Sequence, residues 1–585
     1  MVGTSPCHPL ALDDGVWHLF DGFGGLAGKR GGFTNEFYML KREVWLIPIG
    51  MWVLCVVYAL LAVVLRAYYV DAEGVRQAAA LALEPDRSQL AFWHGHGHAP
   101  LGMLLMWLLV KPLSFGMPIL EATQSLGAVA MGLTGLVLYR LLRSLGLSTG
   151  LCGWLTFLFL TANVALVSAT MLGFAAVALL LMAIWARRAM GVLVQRELDT
   201  GSAVRMGSAS GLLSGINLFA LLPALVLGAL LVRRRGAGAY WATLLMVVLV
   251  VYLGVYFVVL PPQVQRGDDV GATRRVAPTF VSYLWTGNGG SALDVPPLSG
   301  AYWQVMGEQV QNVLLALGRP FRVRDVYQYF LGGTFVTLLK GAFLLLLLIF
   351  IITLFTLGVG GERVPTERPV QVMRRLAGWS LLLMVLVILF WQGDRQACYL
   401  WAWFWAILAL GSWLASYAEA DVQRVGYALP PLVLVMALFG LMKMSALRST
   451  EYDTERQEAE AVQTGVRQGD ILVAAGRLAD LLRYYTAGRA QVVATEYWQT
   501  PDADLQRLLE EAQAQKRRVI LYEYALNPDY YRQARTNAPA EWLSAMERAH
   551  QRWRQRGGAY LRRYTKLVAY PTLLEWTGEV QTTEP

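Results

Sequence analysis

The run VWLIPIGMWVLCVVYALLAVVL, Val44 to Leu65, is followed at once by RAYYVDAEGVRQAAA, Arg66 to Ala80. A helix needs about 20 mostly apolar residues to cross a hydrocarbon core about 30 Å thick, and the first stretch meets that length. Lys41 and Arg42 flank it on one side. On the other, two carboxylates, Asp71 and Glu73, sit a few residues beyond its end. The fold follows from repeating this reading along the chain.

Outward from that stretch, Pro100 to Val110 is too short to span and is closed by Lys111-Pro112, so it is expected to lie in the interface. Ile119 to Leu142 spans and ends in Arg140 and Arg143. Leu151 to Val167 and Leu172 to Ile184 form a tight pair closed by Arg187 and Arg188. Met206 to Val232 contains Gly211, Gly215, Asn217 and Pro223 and ends in Arg233, Arg234 and Arg235. Read as two short helices that enter and return, it keeps those arginines on the same side as the other basic clusters. Tyr240 to Leu260, Phe335 to Leu357, Trp379 to Trp391, Leu400 to Leu414 and Tyr427 to Met444 complete a set of ten or eleven spans. Between them, Trp303, Met306, Val310, Val313 and Leu317 share one face of an amphipathic helix expected on the membrane surface.

Composition agrees. Of 585 residues, 56% are hydrophobic and only 16% charged, against about 25% charged in a soluble protein. From Arg448 onward there are 19 basic and 19 acidic residues, so the whole excess of +9 lies before it. An excess carried by loops between spans fits the positive-inside rule and argues against a nucleic-acid partner. The four cysteines have neither metal-ligand nor CxxC spacing. The expected organisation is a cytoplasmic Gly-rich leader (1–43), a membrane domain (44–446) with outer loops 66–118 and 261–334, and an extracytoplasmic domain (447–585). In the last, Asp470-Ile-Leu-Val-Ala-Ala, Gln491-Val-Val-Ala-Thr and Arg518-Val-Ile-Leu-Tyr read as strands, and Leu478 to Tyr485 and Asp504 to Gln515 as helices. That alternation makes a small α/β domain. Its basic stretch Arg548 to Arg563 reads as a solvated face.

Carboxylates at a membrane boundary suit general-base or metal-binding work, because partial burial raises their pKa. The plainer reading is that Asp71 caps the helix that follows. His94, His96 and His98 alternate with Gly95 and Gly97. In an extended segment they share one face and could ligate a metal, or only His98 could have a role. No cofactor is read from the sequence; a divalent metal ion is the one left open. Within the spans almost no ionisable residue falls at mid-membrane, which speaks against a transporter.

The order of span, acidic loop, interfacial helix opening at His98-Ala-Pro-Leu101 and long span resembles the GT-C membrane glycosyltransferases, in particular the protein O-mannosyltransferase and aminoarabinose-transferase-like branch. The segment Asn217-Leu-Phe-Ala-Leu-Leu-Pro223, running to Arg233, and Asp394-Arg395 before Leu400-Trp-Ala-Trp resemble two further family signatures. Two departures stand out: Ala72 splits the acidic pair, and Asn217 lies near the place of a family lysine. The resemblance implies a mainly α, polytopic GT-C fold in the cytoplasmic (inner) membrane. It further implies transfer of a sugar from a polyprenyl-phosphate donor to a glycan, lipid or protein acceptor on the outer face. Asp71 would be the base, with Glu73 beside it. Arg395, and less directly Arg274, Arg275, Arg319, Arg322 and His98, would hold the departing phosphate, while His94 and His96 are the candidate metal ligands. Two alternatives stay open: an inactive scaffold of the same fold, and a transporter or flippase.

Overall fold

A computed structural model describes residues 49–70, 100–254, 333–390, 395–534, 540–555 and 573–576, apart from single positions and pairs within them. A few positions between 75 and 81 and between 300 and 307 are also described. The chain divides into Met1–Pro48, outside the described residues, and Ile49–Pro585.

The described membrane part is a helical bundle. Helix α1 (Ile49–Val64) is followed by α2 (Pro100–Leu113) and α3 (Ile119–Arg143). The next three are α4 (Thr149–Leu160), α5 (Asn163–Thr170) and α6 (Gly173–Val194). Among the described residues, five helices are long and apolar enough to cross a membrane, or six if the bent pair α4–α5 is one span. Shorter apolar helices such as Gly50–Val64 and Ala237–Tyr252 stand beside them. The chain is a multi-pass membrane protein.

The structure departs from the sequence reading in several places. Helix α2 runs through Lys111 and Pro112 to Leu113. A proline in the last turn removes one N–H, and Ser114 N–H reaches back to the Val110 carbonyl past it. Leu151 to Val167 is not one rod: α4 and α5 meet at a 65° bend. The Thr161 hydroxyl donates to the Phe157 carbonyl just before the bend, and such back-bonding often bends helices.

Helices α7 (Thr200–Ile216), α8 (Leu221–Leu231) and α9 (Ala237–Gly254) explain the segment with the triple arginine. Gly207 lies against Tyr240, Thr243 and Leu244, Gly211 against Leu244 and Val247, and Gly215 against Val251. Both helices therefore advance in the same direction, and α8 must have carried the chain back between them. The expected entry and return is present, but its glycines have another role. Gly211 and Gly215 sit in a regular helix and, with Gly207, form an i, i+4, i+8 stripe that lets two backbones approach closely. The break falls at Asn217, whose side chain accepts from Phe219 N–H at 3.0 Å. At the other end of α8, Arg234 donates to the carbonyls of Val192, Leu193 and Gln195, the orphan acceptors at the end of α6.

A Cβ at position 207 would stand 2.6 Å from the Tyr240 carbonyl oxygen, a backbone atom that cannot rotate away. Gly207→Leu is therefore expected to destabilise by about 1–3 kcal/mol through overpacking. Gly191→Leu, where nothing lies within 4 Å of the new Cβ, serves as its control. Equal melting temperatures in detergent for the two variants would remove the stripe's role.

Helices α10 (Gly333–Gly360), α11 (Arg368–Phe390), α12 (Arg395–Leu414) and α13 (Glu419–Arg448) close the bundle. Helix α11 begins eleven residues before the expected Trp379, its first turns carrying the basic residues Arg374 and Arg375. Helix α13 continues through Pro430 and Pro431. The amphipathic stretch from Trp303 lies largely outside the described residues.

Helix α14 (Thr454–Gly465) opens the C-terminal part, where β1 (Ile471–Ala474), α15 (Gly476–Thr486), β2 (Gln491–Ala494), α16 (Pro501–Ala514) and β3 (Val519–Tyr522) follow as expected. The four-stranded sheet has the order β2-β1-β3-β4. The first three strands are parallel, with β1 central, and β4 (Leu573–Trp576) joins β3 antiparallel. All four residues of β1 and of β3 are buried, as parallel strands covered on both faces should be. A short helix α17 (Pro528–Ala534) packs on the amphipathic α18 (Ala540–Gln555), which lies against α16 and adds Met546, Ala549 and Trp553 to the domain core. Arg552 of α18 bonds Asp502 and Gln506 of α16, so this part of the basic stretch is a packing contact and not a purely solvated face.

Candidate functional site

The described residues that lead into the acidic pair are held by hydrogen bonds from several separate parts of the chain. Once α1 ends, the chain can no longer satisfy its own backbone groups, so Ala67 to Val70 takes partners from elsewhere. Ala67 N–H donates to the carbonyl of Thr170, the last residue of α5, at 3.4 Å. The amides of Tyr68 and Tyr69 donate to the Leu447 carbonyl near the end of α13, at 2.9 and 3.0 Å. Helix C-termini supply such unsatisfied carbonyls. Gln124 of α3 donates to the Ala67 carbonyl at 2.9 Å.

The C-terminal domain grips the same segment from the other side. Arg456 donates to the Tyr68 carbonyl at 2.7 Å and lies over the Tyr68 ring at 4.1 Å. The Tyr68 hydroxyl donates to Glu460 at 2.7 Å, and Glu460 also accepts from Arg456 and Tyr485. Burial, with the hydrogen bond to Glu460 next, raises the Tyr68 phenol above its ordinary value and keeps it protonated. Arg477, in the first turn after β1, donates to the Val70 carbonyl at 2.6 Å and stacks over Tyr69 at 4.4 Å. Its other nitrogens bond Asp453 and Glu455. Burial works against the charge on Arg477, but the Asp453 and Glu455 carboxylates outweigh it and hold the group above its usual range. Asp453 also caps α14 through Arg456 N–H.

Val70 is fully buried, and with Val75, Ala78 and Leu120 it belongs to the hydrophobic core of the C-terminal domain. The residues on both sides of the acidic pair, Val70 before it and Val75 after it, are thus anchored in one core. Where α1, α3 and α13 meet the domain, a cavity of about 420 Å³ is lined by Val63, Val64, Arg66, Ala67, Tyr68, Glu121, Gln124, Arg448 and Arg456.

Of the residues singled out from sequence, Asp71, Glu73, His94, His96, His98, Arg274, Arg275, Arg319 and Arg322 lie outside the described residues. Arg395 is the first residue of α12. Among the described residues no group of three or more His, Cys, Asp or Glu side chains could hold a metal.

The sequence reading missed three things. Arg456, Arg477 and Asp453 were not singled out, and nothing local marks them as partners of residues about 390 positions earlier. Lys443 was absorbed into an apolar span. It is buried, and its ammonium donates to the Asn163 side chain at 3.0 Å, at the α4–α5 bend. A lysine five residues before the helix end invites a snorkelling interpretation, and an asparagine beside a helix break was the available hint of something else. Cys152, which suggested nothing, is buried in α4.

No model of a protein family matches the sequence, and no curated protein matches it. Solved structures do. The structure of ArnT from Cupriavidus metallidurans bound to undecaprenyl phosphate aligns with a TM-score of 0.50 at 13% identity, covering 84% of this chain and 95% of that one. An Archaeoglobus fulgidus oligosaccharyltransferase in the apo form aligns with a TM-score of 0.45 at 12% identity, covering 86% and 73%. The chain has the fold of the GT-C membrane glycosyltransferases.

Proposed function

We propose that this protein transfers a sugar from a polyprenyl-phosphate donor to an acceptor hydroxyl on the extracytoplasmic face of the membrane. The acceptor oxygen attacks the anomeric carbon, the bond from that carbon to the phosphate oxygen breaks, and its electron pair leaves with the lipid phosphate. Asp71 takes the hydroxyl proton, with Glu73 beside it, and configuration inverts. Negative charge grows on the departing phosphate, which cations fixed in advance stabilise best. Arg395 is assigned that role first, with Arg274, Arg275, Arg319, Arg322 and His98 supporting it.

The observation that carries this reading is the clamp on Ala67–Val70. Six hydrogen bonds from four separate parts of the chain hold Ala67 to Val70, the four residues immediately before Asp71. A loop with no task beyond connecting two helices needs no such fixing, whereas a general base must be held to within about 0.5 Å. The ArnT structure carrying undecaprenyl phosphate supports a lipid phosphate as the leaving group.

The test is turnover of the purified full-length protein with a panel of polyprenyl-phosphate sugars. Release of free polyprenyl phosphate from one donor, dependent on an acceptor extract, is the expected result. Binding of donors with no release from any of them would overturn the enzymatic reading.

A further inference from the structure

Lys443 lies in α13 with only 7% of its surface exposed, and its ammonium donates to the Asn163 side chain at 3.0 Å. An ionisable group inside a membrane bundle is expensive and persists where it has a task. The proposed chemistry uses neither residue.

The surroundings of the pair show what it holds. Asn163 is the first residue of α5, just past the 65° break from α4. Gly440, one turn earlier in α13, lies against the Thr161 carbonyl and Leu166, so α13 crosses directly over that break. At the other edge of the break, the Tyr58 hydroxyl of α1 donates to the carbonyl of Leu160, the last residue of α4, at 3.2 Å. The break is therefore bonded to α1 and α13, the two helices whose last turns meet the segment ahead of Asp71. The far end of α5 completes the figure. Thr170 gives its carbonyl to Ala67 N–H and its side chain touches the Met444 sulfur, and Ala67, Val167, Met444 and Leu447 form one buried cluster.

Leverage makes the angle of the break matter. The eight residues of α5 form a rod about 12 Å long, so a change of about ten degrees at the break moves Thr170 by about 2 Å. That displacement breaks the bond to Ala67 and exceeds the tolerance of about 0.5 Å for a held catalytic group.

We infer that the Lys443–Asn163 bond is a latch that fixes the α4–α5 bend and, through Thr170 and Leu447, the position of the acidic segment. Lys443 and Asn163 are positioning residues and touch no reacting atom. What the latch serves rests on the proposed sugar transfer; that it holds the segment does not.

Hydrogen-exchange mass spectrometry on the full-length protein in detergent tests this, with turnover read on the same preparations. The variant is Lys443→Met/Asn163→Leu, because replacing both partners of a buried bond by apolar groups of similar shape strands neither and costs little stability. Its melting temperature is expected to stay at the wild-type value. The amides of Ala67, Tyr68 and Tyr69, which bond Thr170 and Leu447, should exchange about 10-fold faster, while those of β1 in the C-terminal domain stay unchanged. The same variant should lose roughly 10-fold in kcat with donor KM unaltered, the mark of a displaced base and not of a lost donor contact. Wild-type exchange at Ala67–Tyr69 would overturn the inference. So would equal acceleration in β1, which makes the pair an ordinary stability contact, or an unaltered kcat in a protein that turns over donor. If the wild type turns over no donor, the proposed function fails, and the exchange rates still decide whether the latch exists.

Discussion

Asp71→Asn is expected to lower turnover by about 10²–10⁴-fold, the usual contribution of a positioned general base. Asparagine keeps the shape of the side chain and most of its hydrogen bonding but cannot accept the hydroxyl proton. Donor affinity should change little, since the donor's charge is carried by its phosphate and met by arginines. Stability should also hold, because the neighbouring anchors, Val70 and Val75, are apolar and buried in the domain core. The measurements are single-turnover rate, donor affinity and melting temperature on the same preparation. A variant that turns over at the wild-type rate would remove Asp71 from the reaction. One that loses activity and melting temperature together would make it a capping residue instead. Glu73→Gln placed beside it separates the two carboxylates, and a larger loss there would exchange their roles.

The second large effect is structural. Arg477→Ala leaves Asp453, 1% exposed, without its principal charge partner. Removing one member of a buried pair costs about 3–5 kcal/mol, more than the pair itself is worth, because the other charge is stranded. The same substitution removes the bond to the Val70 carbonyl and the stacking on Tyr69. The expected result is a lower melting temperature, faster proteolysis near Arg448 and slower turnover, although Arg477 touches no reacting atom in the proposed chemistry. Arg477→Lys should recover only part of this, since an ammonium cannot bond two carboxylates, a carbonyl and a ring in one plane. Unchanged proteolysis in Arg477→Ala would mean that the apolar contacts of Val70, Val75 and Leu120 hold the domain without the ion pairs.

How far the sequence could be read depended on whether the signal was local. Ile119 to Arg143 and the β1–α15–β2–α16–β3 series each show in a single window, because apolar period and length settle them. Strand β4 did not show: Leu573–Trp576 is four residues long and owes its place to pairing with β3 about 50 residues earlier. The glycines of α7 were visible but were assigned to the wrong cause. Glycine signals both an irregular backbone and a close helix contact, and only the partner helix decides between them. The α4–α5 bend was hidden because only Thr161 and Asn163 interrupt the apolar run there, with neither proline nor glycine at the break. At the site, Asp71 and Glu73 announced themselves as charges at a span's edge. The apparatus that holds Ala67–Val70 comes from α3, α5, α13 and the C-terminal domain, and a window of twenty residues contains none of these relationships.

The distance in sequence between the two halves of that apparatus also sets an order of events. Tyr68 and Val70 are synthesised 388 to 407 residues ahead of the partners that hold them, Arg456, Glu460 and Arg477. The spans can be inserted one after another while the protein is being made, and they supply the bonds from Thr170, Leu447 and Gln124, but the segment ahead of Asp71 is only half set until the tail has been translated and folded. A chain arrested after Arg448 would sit in the membrane with its bundle assembled and its acidic segment held from one side alone. Quality control that detects an unfolded tail would thereby also detect an unfinished site.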